Sequence, residues 1–323
     1  FMTGIPVINV NNNCSSGSTA LFLARQAVES GAVECALAFG FEEMQPGALG
    51  SHWDDRESPF DNFLKVLDDG NYPDAPLALR CFGAAGHHYM EKYGASPDLF
   101  AKVAVKTRSH ATVNPFALFT NPLTIEEVLG APALYMDYLT RLMCCPPTCG
   151  AGAAIICSEE FATRHDVSGS VEIIGQAMAT DTAETWDDPI KLIGADMTRR
   201  AAASVYEQAG IGVDDIDVVE LHDCFTTNEV ITYEGLGLCG EGEATAFVDA
   251  RDNTYGGKFV VNPSGGLMSK GHPIGATGLA QCFELVNQLR GNAGQRQVPN
   301  AKIGLQHNLG LGGAAVVTMY RSI

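Results

Sequence analysis

Apolar runs and helix-like stretches alternate at the start of the chain. Residues 5–11 form an apolar, extended run, residues 16–30 are rich in Ala and Leu, and residues 34–40 are again apolar. A short apolar run is typical of a buried parallel strand, and a longer stretch with helical periodicity is typical of the helix that connects two such strands. The pattern therefore predicts one strand–helix–strand unit with a right-handed crossover.

The same alternation returns in the second half of the chain. Strands are predicted at residues 151–157, 171–177, 216–221, 302–306 and 314–320, and helices at residues 196–209, 227–236 and 279–290. The Gly-rich stretch at residues 307–313 predicts a loop between the last two strands. A turn, a helix and a strand follow one another at residues 5–40 and again at about residues 259–320, which indicates a weak internal duplication.

The middle of the chain has a different character. Residues 50–78 are rich in Asp, Pro, Ser and Gly, which predicts a loop, and helices are predicted at residues 84–93 and 98–111. The pair Ser96-Pro97 is a typical helix start. We therefore interpret residues 44–142 as an insertion of loops and short helices that covers a ligand site. Its histidines are predicted to lie on the surface: His87, His88 and His110.

Composition and charge narrow the function classes. The chain has 323 residues, of which 46% are hydrophobic and 18% charged, so it can bury a core and form two domains. A formal net charge of −18 argues against a nucleic-acid partner and against an anionic membrane surface, although an anionic ligand can still bind at a helix N-terminus. The sequence shows neither an apolar run of transmembrane length nor a signal peptide, which predicts a cytoplasmic protein.

The ten cysteines have no regular spacing, and several lie in apolar runs. This usage predicts free thiols in a reducing compartment and not a disulfide scaffold. The run from Cys144 to Cys149 contains three of them, but no second Cys or His pair follows with zinc-ligand spacing. No metal site is therefore predicted.

A cysteine and a histidine lie in matching settings far apart in the sequence. Cys14 is followed by Gly17 and a helix-like stretch, and His272 is followed by Gly275 and another such stretch. A helix N-terminus stabilises a thiolate and lowers the pKa of a cysteine, and a nearby imidazole can accept the thiol proton. A single residue of either type is more often an inert part of the core, but two matched turns in one chain favour a nucleophile and its base.

Five short motifs resemble those of the thiolase family, and most of all those of the sterol-carrier-protein thiolases. They run in order along nearly the whole chain: Cys14-Ser15-Ser16-Gly17, His222-Asp223-Cys224-Phe225, Asn262-Pro263-Ser264-Gly265-Gly266, Gly271-His272-Pro273 and His307-Asn308-Leu309-Gly310. Several ordered motifs are far more specific than any one of them. The resemblance implies cleavage of a 3-ketoacyl-CoA by coenzyme A, which releases acetyl-CoA or propanoyl-CoA, on branched and sterol-derived acyl chains.

The resemblance also implies an α/β fold, in which two duplicated halves stack as a five-layer α-β-α-β-α sandwich with a five-stranded sheet in each half. The first half would comprise residues 1–43 and 143–160, the inserted loop domain residues 44–142, and the second half residues 161–323. The family begins with a further strand–helix–strand segment that this sequence lacks. At least a homodimer is expected, with residues 5–11 near the interface.

Site roles carried over from the family fall on seven residues. Cys14 would be the nucleophile, and His272 would accept its proton and then help bind the thioester oxygen. Cys224 would protonate the enolate that cleavage expels, and His222 would hold the enolate oxygen. The backbone N–H groups of Cys14 and Leu309 would form a second oxyanion hole, with Gly310 in the same loop. His307 occupies the position where ordinary thiolases carry the acidic cysteine, and it is a further candidate.

Coenzyme A is expected as a substrate, and no cofactor is expected. Three cations are candidates for its phosphates: Lys106, Arg108 and Lys270. Three other functions stay open, namely a thiolase-like retro-aldolase, which the presence of Cys14 disfavours, a condensing enzyme, and a catalytically silent acyl-CoA-binding scaffold. An accessory protein subunit is a candidate partner.

Overall fold

The computed structural model describes residues 3–50, 55–167, 169 and 171–323. The helices of this part are α1 Ser16–Glu29, α2 Asp61–Asp69, α3 Leu77–Tyr93, α4 Pro97–Ala111, α5 Ile125–Leu129, α6 Glu159–Arg164, α7 Pro189–Leu192, α8 Ala195–Ala209, α9 Thr226–Gly235, α10 Ala244–Asp249, α11 Gly266–Lys270 and α12 Thr277–Leu289. The strands are β1 Cys35–Glu42, β2 Ala133–Tyr135, β3 Leu139–Thr140, β4 Gly150–Cys157, β5 Val171–Ala179, β6 Val218–Glu220, β7 Val260–Val261, β8 Ile303–Gly310 and β9 Ala314–Ser322.

The second half contains the five-stranded sheet that the resemblance implies, whereas in the described residues of the first half β1 and β4 form a two-stranded sheet and not the expected five-stranded one. Its strand order is β5-β9-β8-β6-β7. β9 pairs antiparallel with both β5 and β8, whereas β6 pairs parallel with both β8 and β7. Helix α8 packs on β5 and β9, and α12 packs against β8 and β6.

Helices α1 and α12 contact each other and fill the space between two sheets. Both also pack against β1 and β4 of the first half, while α12 reaches β8 of the second. Leu21 of α1 and Leu279 of α12 are fully buried in one apolar cluster between the sheets. Because each catalytic candidate precedes one of these two helices, this central layer brings Cys14 and His272 to the same place.

The start of the chain differs from the predicted strand–helix–strand unit. Residues 5–11 contain no strand, and Ile5, Val7 and Ile8 are exposed. Strand β1 is antiparallel to β4 and not parallel, and one of its faces, with Leu37 and Phe41, is exposed. An apolar run signals a sheet-forming segment but does not identify its neighbour, and no described strand pairs with residues 5–11.

The middle region is more helical than predicted. Of the loop predicted at residues 50–78, residues 51–54 lie outside the described part, and α2 occupies Asp61–Asp69. Helix α4 starts as predicted, with Ser96 at the N-cap and Pro97 in the first turn. Helices α3 and α4 pack against α9 of the second half and belong to its apolar core. The region therefore packs against the helix that follows His222, while the domain boundaries stay a prediction.

Strand β8 extends further than predicted. It continues through Gly310, so that only residues 311–313 form the turn to β9. Because side chains alternate across a strand, His307 and Asn308 lie on opposite faces of this sheet. Across the described residues, no helix combines the length and the hydropathy that a membrane crossing requires.

Candidate active site

A tight turn presents Cys14 just before the first turn of α1. The backbone N–H groups of Ser15 and Ser16 donate to the carbonyl oxygens of Asn12 and Asn13 at 3.1 and 3.0 Å. Asn13 adopts a left-handed conformation with φ of 51°, which Asn tolerates better than most residues. The turn thus forms without a preceding strand, and it leaves Cys14 partly exposed.

The second turn holds His272 between α11 and α12. Its Nδ1 lies 2.7 Å from the hydroxyl oxygen of Thr277, and that hydroxyl donates its only hydrogen to the Pro273 carbonyl oxygen at 3.0 Å. The Thr277 oxygen must therefore accept from Nδ1–H, which leaves the lone pair of His272 on Nε2. This Nε2 is buried and has no hydrogen-bond partner, so its lone pair is available to accept a proton, as a general base requires.

His222 completes the cluster from a third direction. It follows the short strand β6 and precedes α9. Its ring meets that of His272 edge to face, with centroids 5.0 Å apart and an interplanar angle of 81°. The sulfur of Cys14 and one ring nitrogen from each histidine all lie within 4.8 Å of one another. The structure therefore brings together three candidates, of which the first and the last, Cys14 and His272, are more than 200 residues apart in the sequence.

Burial governs the protonation of this cluster. It raises the pKa of the Cys14 thiol to about 12, against the opposing effect of nearby backbone amides, and it lowers the pKa of His272 to about 3. Burial, together with the neighbouring His272 and His307, holds the pKa of His222 well below its ordinary value. The lowered thiol pKa expected from the helix N-terminus is therefore wrong for the unliganded site, which contains a neutral thiol and two neutral imidazoles.

Cys224 lies near Cys14, together with Cys145, a cysteine that the sequence analysis did not select. Cys224 is buried, and the Cys145 backbone N–H donates to its carbonyl oxygen at 2.9 Å. Burial raises the pKa of both thiols well above the ordinary value, and the nearby Cys14 and Asp223 raise both further. No sequence pattern marked Cys145, because its proximity arises from the pairing of two segments far apart in the chain.

The residues of the last motif, His307–Gly310, lie in different surroundings. His307 is fully buried, and its Nε2 lies 2.9 Å from the Thr198 hydroxyl of α8. Burial lowers the pKa of His307 to about 3. Asn308, the next residue, instead points its amide nitrogen at His222 Nδ1, 2.9 Å away. The motif thus reaches the site through Asn308, while His307 packs against α8.

Gly310 touches the nucleophile turn. A β-carbon at this position would lie 2.0 Å from the Asn12 carbonyl oxygen, so the close approach requires glycine. The loop amide that lies against the Cys14 sulfur belongs to Leu311. Leu309, the residue predicted to donate to the oxyanion, lies within β8 with its side chain buried. Its role as a donor stays a prediction.

The three candidate CoA-binding cations are already engaged. Lys106 is buried and pairs with the buried carboxylate of Glu229, so its predicted role at a CoA phosphate finds no support in this conformation. Arg108 donates from Nε to the Ser269 hydroxyl at 3.0 Å. Lys270 lies 3.5 Å from the Glu220 carboxylate and is largely buried. Arg108 and Lys270 are both partly buried, whereas Lys106 is buried.

The surface position predicted for His110 is wrong. Its ring bridges the Asn262 carbonyl oxygen at 3.0 Å and the Thr254 hydroxyl at 2.7 Å, and burial lowers its pKa to about 3. Helix α4 turns this face toward the core of the second half, which the local sequence does not reveal. His87 and His88 are partly buried.

The cluster of Cys14, His222 and His272 is also a set of zinc-type ligands, since thiolate sulfur and imidazole nitrogen both bind zinc. Such an ion would occupy the nucleophile and the base at once. A metal in this position would therefore block acyl transfer and would not assist it.

Comparison with known proteins identifies the family. The family model described as the thiolase N-terminal domain matches residues 2–131, and the thiolase C-terminal domain-like model matches residues 175–320. The chain is 54% identical over 324 residues to sterol carrier protein 2 of Rattus norvegicus, with 99% of this chain and 59% of that protein covered. It is 36% identical over 310 residues to the benzoylsuccinyl-CoA thiolase subunit BbsB of Thauera aromatica, with 95% of this chain and 77% of that protein covered.

Solved structures share the fold. The Ltp2-ChsH2(DUF35) aldolase matches with a TM-score of 0.81 at 24% sequence identity, with 96% of this chain and 78% of that chain covered. The present chain spans about three-fifths of the length of the sterol carrier protein 2 relative, 59%. The two matched domains and the ordered motifs agree, and the chain belongs to the thiolase family.

Proposed function

We propose that this protein is a 3-ketoacyl-CoA thiolase, an acetyl-CoA or propanoyl-CoA C-acyltransferase that works through an acyl-cysteine. The observation that carries the proposal is the cluster of Cys14, His222 and His272, whose reactive atoms lie within 4.8 Å of one another. A thiol beside an unpartnered imidazole nitrogen is the arrangement of an activated nucleophile. The thiolase name of one relative supports the reaction class.

In the first half-reaction, His272 Nε2 takes the proton from Cys14 as the sulfur attacks the 3-keto carbon. Collapse of the adduct breaks the bond between carbons 2 and 3 and leaves the acyl group on Cys14. The electron pair of that bond forms the enolate of the short acyl-CoA, and the Cys224 thiol protonates its carbon 2. His222 donates a hydrogen bond to the enolate oxygen as charge develops there.

In the second half-reaction, the Cys224 thiolate takes the proton from the thiol of coenzyme A. The resulting sulfur anion attacks the acyl-Cys14 thioester and expels the Cys14 thiolate, which regains its proton from His272. Backbone amides near the nucleophile, those of Cys14 and of the loop at Leu309 and Leu311, serve the second oxyanion. Protons balance over the cycle, and no redox step is involved.

Cys14 and His272 are both neutral before the reaction, which is compatible with this cycle. With a thiol pKa of about 12 and a His272 pKa of about 3, proton transfer in the empty site is strongly uphill. The thiolate therefore forms only when an oxyanion develops beside the N–H donors, which stabilise charge in the transition state more than in the ground state. The site would thus protect its nucleophile from adventitious electrophiles between turnovers.

The substrate is expected to be a branched or sterol-derived 3-ketoacyl-CoA, because the chain resembles the sterol-carrier-protein thiolases in its motifs and is 54% identical to sterol carrier protein 2. A homodimer and an accessory protein subunit are the proposed partners. The thiolase relative is itself named as a subunit, and the structurally similar aldolase was solved as a complex with a DUF35 protein. A cytoplasmic location stays part of the proposal.

Steady-state thiolysis tests the proposal. The purified protein is mixed with a 3-ketoacyl-CoA of branched chain and coenzyme A, and the shortened acyl-CoA and the released unit are separated by chromatography. Cys14→Ala should abolish both products. Cys35→Ala is the matched control, because Cys35 lies beyond the far end of α1, a helix of 14 residues and therefore about 21 Å long. Product formation that survives in Cys14→Ala would contradict the acyl-cysteine route.

A further inference from the structure

We infer that Asn308 is a positioning residue that fixes His222 in the tautomer with its hydrogen on Nε2, so that His222 donates and His272 accepts in the same active site. The inference rests on the proposed function for its catalytic meaning. Its structural content stands on hydrogen-bond geometry alone.

The first step concerns the bond between Asn308 and His222. The amide nitrogen Nδ2 of Asn308 lies 2.9 Å from His222 Nδ1, and both residues are buried. An amide nitrogen only donates, so Nδ1 must accept and can carry no hydrogen. A neutral imidazole has one N–H, and it must then be on Nε2.

The second step concerns the orientation of the Asn308 amide. A β-carbon on Gly278 would lie 2.6 Å from Asn308 Oδ1, 2.1 Å from Ser18 Oγ and 2.4 Å from Ser18 N, so these atoms crowd around one point. Ser18 belongs to the first turn of α1, where backbone N–H groups lack helical acceptors and the local field favours an oxygen. The Ser18 hydroxyl also accepts from Gln306, so its own hydrogen points elsewhere. Asn308 Oδ1 is nevertheless buried without a hydrogen-bond partner, so the contact that orients the amide is the one between its nitrogen and His222.

The third step compares the two histidines. Thr277 accepts from Nδ1–H of His272 and leaves a lone pair on its Nε2, whereas Asn308 donates to Nδ1 of His222 and leaves a hydrogen on its Nε2. The two rings thus present one acceptor and one donor to the space around Cys14. His272 can therefore act as the base and His222 as the oxyanion donor while both rings are neutral.

The fourth step explains why the last motif reaches the site. Its histidine packs against Thr198, and the alternation of β8 turns the next side chain toward His222. The residue of this motif that acts on the reaction is then Asn308, through His222, and not His307.

Nitrogen-15 NMR of the histidine side chains tests the inference without any variant of Asn308. In the unliganded protein, His222, assigned by comparison with His222→Gln, should show the Nε2–H tautomer, and His272 should show the Nδ1–H tautomer. A hydrogen on Nδ1 of His222 would overturn the inference, whatever reaction the protein catalyses. Correct tautomers in a protein without thiolysis would refute the proposed function and leave the geometry intact.

Asn308→Asp adds a kinetic test. A carboxylate accepts only, so it should move the hydrogen of His222 to Nδ1 and remove the donor at Nε2. Loss of one oxyanion donor costs about 100- to 1,000-fold in kcat. The variant should recover activity as the pH falls, because a protonated His222 carries hydrogens on both nitrogens. The titratable groups close enough to affect the charge on His222 are His272, His307 and the Cys14 thiol.

The matched control is Asn292→Asp, which makes the same change of charge at an exposed position after α12. It should leave both kcat and the pH profile unchanged. Far-UV circular dichroism checks that Asn308→Asp folds. A folded Asn308→Asp enzyme whose kcat and pH profile match those of the parent protein would contradict the inference.

Discussion

Removing the buried ammonium of Lys106 should destabilise the fold far more than it affects the binding of coenzyme A. Lys106 of α4 pairs with Glu229 of α9, and the exposed fractions of their side chains are 7% and 0%. Glu229 also accepts from the Tyr233 hydroxyl at 2.5 Å and from the Asn262 amide at 3.3 Å. In Lys106→Met the carboxylate keeps these two donors but loses its counter-charge.

The magnitude follows from the burial of the pair. Removing one partner of a buried ion pair typically costs 3–5 kcal/mol, and the two remaining donors to Glu229 place the expected loss near the lower end, about 3 kcal/mol. Glu229→Gln alone should also destabilise, because it leaves the Lys106 ammonium buried without a counter-charge, with neutral acceptors such as the Val261 carbonyl oxygen at 3.3 Å. The double variant Lys106→Met/Glu229→Gln removes both charges and should recover about 2 kcal/mol of the summed losses.

Urea unfolding monitored by far-UV circular dichroism measures these free energies of unfolding, and the KM for coenzyme A is measured on the same preparations. Lys102→Met is the matched control on α4. Its ammonium is 36% exposed and pairs with Asp249 at 2.5 Å, so its loss should cost less than about 1 kcal/mol. If Lys106→Met left stability unchanged and raised the KM for coenzyme A, the buried-pair reasoning would be refuted and a phosphate contact supported.

Three further predictions concern the nucleophile and its base. Since burial raises the pKa of the Cys14 thiol to about 12, alkylation of Cys14 by iodoacetamide should speed up about tenfold per pH unit from pH 7 to 10, whereas a plateau near neutral pH would indicate a thiolate. Thr277→Val removes the acceptor that fixes the tautomer of His272 and should lower kcat by about 100-fold, while Thr277→Ser keeps it; equal kcat values in the two variants would contradict that role. Gly310→Ala places a β-carbon 2.0 Å from the Asn12 carbonyl oxygen. This contact should displace the turn that carries Cys14 and lower kcat/KM by about 100-fold. An unchanged kcat/KM would show that the loop can move to accommodate the β-carbon.

The sequence was sufficient to predict which segments carry the chemistry. Cys14 and His272 each precede a helix, and each is followed by a Gly three residues later. Such local patterns are reliable because the geometry of a turn is determined by residues that are neighbours in the chain. Apolar runs predicted four of the five strands in the sheet of the second half, whereas the two-residue strand β7 was not predicted and the number of strands followed from the resemblance. The resemblance implied that His222 acts at the same site, and in the structure one of its ring nitrogens lies within 4.8 Å of Cys14 and His272, while its role stays a prediction.

Other features depend on contacts that sequence spacing does not encode. The pKa of Cys14 is decided by burial, which outweighs the helix N-terminus that the sequence displays. The extension of β8 through Gly310 decides that Asn308 and not His307 reaches His222. Lys106 and His110 looked accessible because their helix lies in a polar region, yet α4 packs both against the second half.

Intact-protein mass spectrometry after mixing with a 3-ketoacyl-CoA, in the absence of free coenzyme A, tests the central claim most directly. The account predicts an acyl adduct on Cys14 that added coenzyme A discharges and that Cys14→Ala does not form. Failure of folded protein to form any adduct, with the substrate nevertheless consumed, would contradict the covalent two-step mechanism.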